Sequence, residues 1–297
     1  MRYLVCVASL FLFGMCAVGA LPEDLRRAEI RSWGSVQGLP EENIYSISET
    51  PDGYLWLASH DGLIRFDGLN FRIFSPGEAA GFRDHSIGGA LAVNGNLWVG
   101  GRDYVAYARP DAFQWFTNPA FLAAANPRKP KERYGIANMQ ALPDGTIFFR
   151  RAEGVYRLRA SADGLPPPQP ELYLPAPDGE DLIGFHHGPS GRDWASTVRG
   201  TFRIDDGRWT PLPGQPVSSA TLLEARDGTL WAFGNNGLFA IRGNKAERIL
   251  TSPKIMLDPV RALFEDVRGD IWVGLIGGLA RIRAGNPWTA PCAPVIS

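Results

Sequence analysis

One motif, Gly-x-x-aromatic, returns six times along this chain: Gly53-Tyr-Leu-Trp56, Gly95-Asn-Leu-Trp98, Gly145-Thr-Ile-Phe148, Gly191-Arg-Asp-Trp194, Gly228-Thr-Leu-Trp231 and Gly269-Asp-Ile-Trp272. Successive aromatics lie roughly 40–50 residues apart, the length of one propeller blade. Six residues after the aromatic a second glycine stands in five copies, as Gly62, Gly154, Gly200, Gly237 and Gly278, while Tyr104 takes that place in the second copy. Ten residues after it comes an apolar side chain, Phe66, Leu158, Ile204, Ile241 or Ile282. A unit this short cannot cover its own hydrophobic face, so copies must pack on one another.

Each unit divides into four short strands. In the first copy Asn43–Glu49 alternates apolar and polar residues, Pro51-Asp52-Gly53 supplies a turn, and Tyr54–Ser59 carries Trp56. His60-Asp61-Gly62 turns the chain again, and Leu63–Asp67 and Phe71–Phe74 complete the unit. The expected fold is therefore all-β: a β-propeller of four-stranded blades with six visible repeats, centred on Trp56, Trp98, Phe148, Trp194, Trp231 and Trp272. The aromatic should pack between neighbouring blades. The segment Glu29–Trp33 is expected to complete the last blade and close the ring, which would remove exposed sheet edges. A truncated seven-bladed ring is the alternative. The stretch Tyr107–Arg133 is expected to be an insertion on one face.

The first twenty residues are of another kind. Arg2, an apolar run from Leu4 to Val18 and the small residues Gly19 and Ala20 predict a signal peptide over residues 1–20, ahead of a single propeller domain over 21–297. The run is too short to span a bilayer. Cys6 and Cys16 would leave with the signal, so Cys292 alone would remain and no intramolecular disulfide could form. The product is expected to be exported to the periplasm or the medium. A net charge of -1 gives no electrostatic reason for a nucleic acid partner.

The runs Gly38-Leu-Pro-Glu-Glu-Asn43-Ile44, Asp52-Gly-Tyr-Leu-Trp56 and Gly62-Leu-Ile-Arg-Phe-Asp-Gly68 closely resemble the two-component regulator propeller repeat. Glu265-Asp266 through Gly278-Leu279 is similar to the same repeat. The resemblance implies the extracytoplasmic sensor portion of bacterial hybrid histidine kinases or of some diguanylate cyclases, often linked to carbohydrate sensing. No phosphoacceptor-histidine box, ATP-binding glycine motif or Gly-Gly-Asp-Glu-Phe run is present. The chain is thus expected to act as a stand-alone module or as the first part of a longer sensor. A membrane-bound signalling partner or a further C-terminal domain would supply the output.

Catalytic and metal motifs are lacking. His60, His85, His186 and His187 are the only histidines, and the adjacent pair would point to opposite faces of a strand. No catalytic residue, metal ligand or cofactor is expected. The turns between second and third strands are polar, and they supply the candidate ligand-binding residues: His60, Asp61, Arg102, Asp103, Arg151, Glu153, Arg199, Asn235 and Asn236. Arginine forks and carboxylate acceptors suit a sugar or another small, neutral or weakly anionic ligand. Arg65, Arg157, Arg203 and Arg281, nine residues after the aromatic, are expected to be scaffold. A secreted propeller enzyme acting on carbohydrate and a protein-interaction scaffold are the competing functions.

Overall fold

The computed structural model describes residues 33–76, 85–102, 104–109, 114–117, 136–159, 170–212, 219–234, 237–249, 260–275, 278–284 and 293–296. Their 24 strands form six four-stranded sheets, each an antiparallel meander in chain order. The fold is an all-β, six-bladed propeller, and the one helical element among the described residues is a 3-10 turn at Ser35–Gln37. The expected signal peptide lies outside the described residues. Two compact units emerge: residues 33–182 hold the first three blades, and residues 183–297, grouped with 1–32, hold the last three.

Blade one runs through Ile44–Glu49, Leu55–Ser59, Leu63–Phe66 and Phe71–Phe74, as the motif predicts. Its aromatic does pack between blades. Trp56 is buried with Leu63 and Phe74 of its own blade and with Ile87, Leu97, Val99 and Tyr104 around blade two. Trp98, Trp194 and Trp231 pack likewise on the following blade, and Phe148 is buried.

The second glycine has a steric cause. A Cβ on Gly62 would lie 2.6 Å from the carbonyl oxygen of Phe74, and one on Gly154 would lie 2.5 Å from that of Leu174. Their φ angles of 146° and 158° disfavour any side chain as well. The fourth strand therefore presses its backbone onto the start of the third. Blade two escapes the requirement because its turn is longer, running from Gly100 to Val105, and Tyr104 is buried there.

Within the first unit, Ser46 Oγ accepts from Ala90 N at 2.7 Å and Ser48 Oγ from Ala92 N at 2.8 Å. Both contacts carry the same sequence offset, so the first strands of blades one and two run parallel. Their turns between second and third strands consequently share one end. Gly88 and Gly100 let Ile136 of blade three approach equally closely, which continues that packing.

Two expectations are corrected. The fourth strand of blade six is Ala293–Ile296, paired with Gly278–Ile282, and not the segment near Trp33. A following strand can join its neighbour locally, whereas Trp33 is engaged elsewhere, packed edge-on against Phe66 with ring centroids 5.1 Å apart. Glu29–Ser32 lie outside the described residues. The stretch expected as an insertion, Tyr107–Arg133, contains the strand Gln114–Thr117, which is the fourth strand of blade two. Its Phe116 and Trp115 pair in register with Tyr107 and Ala108 of the third strand.

Candidate functional site

The candidate residues divide by burial. His60 and Asp61 are both exposed, with His60 Nδ1 3.3 Å from Asp61 Oδ1, in the turn after Leu55–Ser59. Arg102 is exposed in the corresponding turn of blade two. Parallel packing of the first strands brings these two turns to the same end of the unit. Asp103, Asn235 and Asn236 lie outside the described residues. Arg199 is exposed, and its backbone N–H donates to Thr197 Oγ1 at 3.1 Å.

Arg151 and Glu153 are occupied with the protein itself. Arg151 ends the second strand of blade three, its side chain is 6% exposed, and its Nε lies 2.7 Å from Glu153 Oε1. Tyr156 donates its hydroxyl to the same oxygen at 3.1 Å. The neighbouring connection folds onto this turn, with Leu182 N donating to Ala152 O at 2.7 Å and Arg150 Nη1 to Leu182 O at 2.8 Å. A buried pair so enclosed is structural, because freeing either charge would leave the other desolvated.

A polar knot missed at the sequence level lies at the other end, between blades four and five. Glu224 has a fully buried side chain that accepts from Ser190 Oγ at 2.7 and 2.8 Å, and Arg192 Nη1 lies 3.6 Å away. Gly188 makes room for it, since a Cβ there would fall 1.7 Å from Glu224 Oε2. The legible signal was Glu at one repeat position, four residues before the turn glycine, in Glu49, Glu224 and Glu265. Glu265 works alike, accepting from Arg226 N at 2.9 Å.

Beside the knot the two adjacent histidines separate as a strand requires. His187 Nδ1 lies 2.6 Å from Asp193 Oδ1. His186 is half-buried, and its inaccessible Nε2 has no partner among the described residues. Burial pushes its pKa down from 6.5 to about 4, against the opposing pull of the Glu224 charge. Among the described residues no group of three His, Cys, Asp or Glu side chains is placed to hold a metal ion.

Likeness to known proteins follows the same lines. Residues 38–61 match the family described as two component regulator propeller, and no curated protein matches the chain. Among solved structures, a streptogramin B lyase shares 17% identity at a TM-score of 0.61, over 84% of this chain and 82% of that one. The extracellular domain of a hybrid two component system of B. thetaiotaomicron shares 17% identity at 0.51, over 84% of this chain and 41% of that one. The extracellular domain of a one component system from the same organism shares 15% at 0.50, over 82% and 38%. The chain thus spans about two fifths of those two sensor domains. At these identities the likeness is one of fold. No helix among the described residues is long and apolar enough to cross a membrane. This chain is a six-bladed propeller, and its residues 38–61 match the two component regulator propeller repeat.

Proposed function

We propose that the chain is an exported, ligand-binding propeller that serves as the input module of a bacterial signalling protein. The observation that carries this reading is the regulator repeat at residues 38–61, on a fold it shares with extracellular sensor domains. Residues 1–20 are removed on export. The ligand is a sugar or a similarly small, hydroxyl-rich molecule bound at the end that bears His60, Asp61 and Arg102, whose exposed donors and acceptors are not committed to the core. A membrane-bound partner or a further C-terminal domain carries the output.

A second reading, a secreted lyase, draws on the likeness to streptogramin B lyase, which covers most of both chains. Its acid–base pair would be sought at His187 and Asp193, 2.6 Å apart. One experiment separates the two. The secreted protein is screened by thermal shift against mono- and oligosaccharides, and each stabilising compound is then incubated with it and analysed by mass spectrometry. The sensor reading expects saturable stabilisation, loss of that effect in Asp61→Ala/Arg102→Ala, and recovery of the ligand unchanged. Conversion of the ligand to new products would sink it in favour of the lyase, and a panel without a binder would remove the sugar.

A further inference from the structure

Of the four arginines placed nine residues after the aromatic, one differs in its surroundings. Arg65 lies over the Tyr54 ring at 4.4 Å and near Trp56 and Phe74, at 6.0 and 5.9 Å. Arg157 lies over Tyr173 at 5.4 Å and bonds Glu171 at 3.0 Å. Arg281 is buried, 5.5 Å from Trp272 and 3.7 Å from Asp270. Arg203 of blade four makes one contact among the described residues, from Nε to Asp205 Oδ2 at 2.7 Å, and 44% of its side chain is exposed.

The cause is legible in the repeat. Where blade one has Tyr54, directly after the turn glycine, blade four has Arg192. Among the described residues no ring takes the place that Tyr54 has beneath Arg65, and a groove of about 280 Å³ opens between blades four and five. Trp194, Arg203 and Thr210 are register partners across three adjacent strands, so they stand in one row on the blade-four wall. Leu212 and Ile241 continue the floor, and both pack in the same apolar cluster as Trp194. The blade-five wall is made by two turns, with Gly228, Gly243 and Asn244. A Cβ on either glycine would meet nothing within 4 Å.

Two guanidinium groups over an apolar floor, beside a hydroxyl and an amide, form a recognition set rather than a packed joint. The Arg192 guanidinium comes no nearer a carboxylate than 3.6 Å, and its side chain is 55% exposed. Planar arginine forks match a carboxylate. The floor favours a ring, and the volume lies near the lower bound of ligand pockets, about 300 Å³. We propose that this inter-blade groove binds a small, single-ring monocarboxylate, with the carboxylate on Arg203 and Arg192 and the ring over Trp194 and Leu212. The groove lies at the end of blade four opposite the turn that bears Arg199, because the turns that line it join first to second and third to fourth strands. It shares no residue with the turn-borne site proposed above.

The test uses the secreted protein and four probes: glucuronate, benzoate, neutral glucose and sulfate. Isothermal titration is run on wild type, Arg203→Gln, Asn244→Trp (which fills the groove) and Arg102→Ala. The expected result is saturable binding of glucuronate or benzoate at about millimolar strength or better, weakened at least about tenfold by Arg203→Gln and by Asn244→Trp. Arg102→Ala should bind as wild type does. Unliganded melting temperatures of all variants should agree, since Arg203 and Asn244 are surface groups. Absence of carboxylate binding, equal binding of glucose, or binding that survives both groove variants would overturn the proposal. So would retention of sulfate alone, as an adventitious ion only.

Discussion

The Trp272 indole Nε1 donates to Asp266 Oδ2 at 3.0 Å, and the Trp56 indole donates to Thr50 Oγ1, also at 3.0 Å. In both blades the acceptor stands six residues before the tryptophan, in the turn that precedes its strand. The repeated aromatic thus has two roles. The Trp56 ring packs between blades one and two, and in both blades the indole N–H ties down the turn of its own blade. Blades two and four lack the second role: Ala92 and Gly188 occupy the acceptor position, and the buried Nε1 atoms of Trp98 and Trp194 have no partner among the described residues.

Removing the acceptor should expose the value of the bond. Thr50→Val keeps the shape but strands a buried donor, at a cost of about 1–3 kcal/mol, whereas Thr50→Ser should cost less than about 1. Urea unfolding of the two variants measures the difference. Equal losses would mean that Trp56 contributes by packing alone.

Glycine substitutions should separate backbone strain from collision. Gly53 has a φ of 86° with nothing within 4 Å of a Cβ, so Gly53→Ala should cost about 1–2 kcal/mol. At Gly62 the carbonyl of Phe74 is in the way at 2.6 Å, and backbone cannot step aside as a side chain can. Gly62→Ala should therefore be the more damaging of the two. The same melting temperature for both would refute the close approach.

Acid should weaken the second unit before carboxylates begin to titrate. His186 is neutral in the fold, its pKa lowered from 6.5 to about 4 by burial. Between those values the unfolded chain binds the proton and the folded chain does not, so stability falls as pH falls from 6.5 towards 4. The loss amounts to about 3 kcal/mol when the full interval is crossed. Asp266 acts in a lower window: burial would raise it, but hydrogen bonds from Trp272, Asp270 and Arg268 outweigh burial and lower it from 3.8. Its contribution is present above 3.8 and is lost only as pH drops through the lowered value. His186→Phe should flatten the stability profile between pH 6.5 and 4 and leave the more acidic limb in place. Chemical denaturation at a series of pH values gives the answer.

Two turn carboxylates should differ in how much their removal costs. Glu153→Ala removes the partner of a buried arginine and should cost about 3 kcal/mol or more. Asp61→Ala breaks an exposed contact and should change stability by less than about 1. Comparable effects at the two positions would contradict the burial difference.

Export has a direct readout. Mass spectrometry of the secreted product should give an amino terminus at Leu21. A membrane-bound product that retains Met1 would remove the cleavage reading.

Blade number and most strand boundaries were legible in the residues, because each depends on local grammar: a glycine turn, an aromatic three residues on, a second glycine and an apolar end. Exposure of the polar turn residues was not legible. His60 and Arg151 occupy similar places in their repeats, yet one stands in solvent and the other is enclosed by a connection that returns from Leu182. Arg65 and Arg203 share a repeat position, but a neighbouring tyrosine covers the first and a neighbouring arginine leaves the second open. The burial of Glu224, the place of Ala293–Ile296 as the fourth strand of blade six and the groove beside Trp194 are of the same kind. The repeat specifies what each blade is, since its hydrogen bonds and turns lie within some forty residues. What a side chain touches depends on the blade or connection packed beside it, and that neighbour comes from a distant part of the chain.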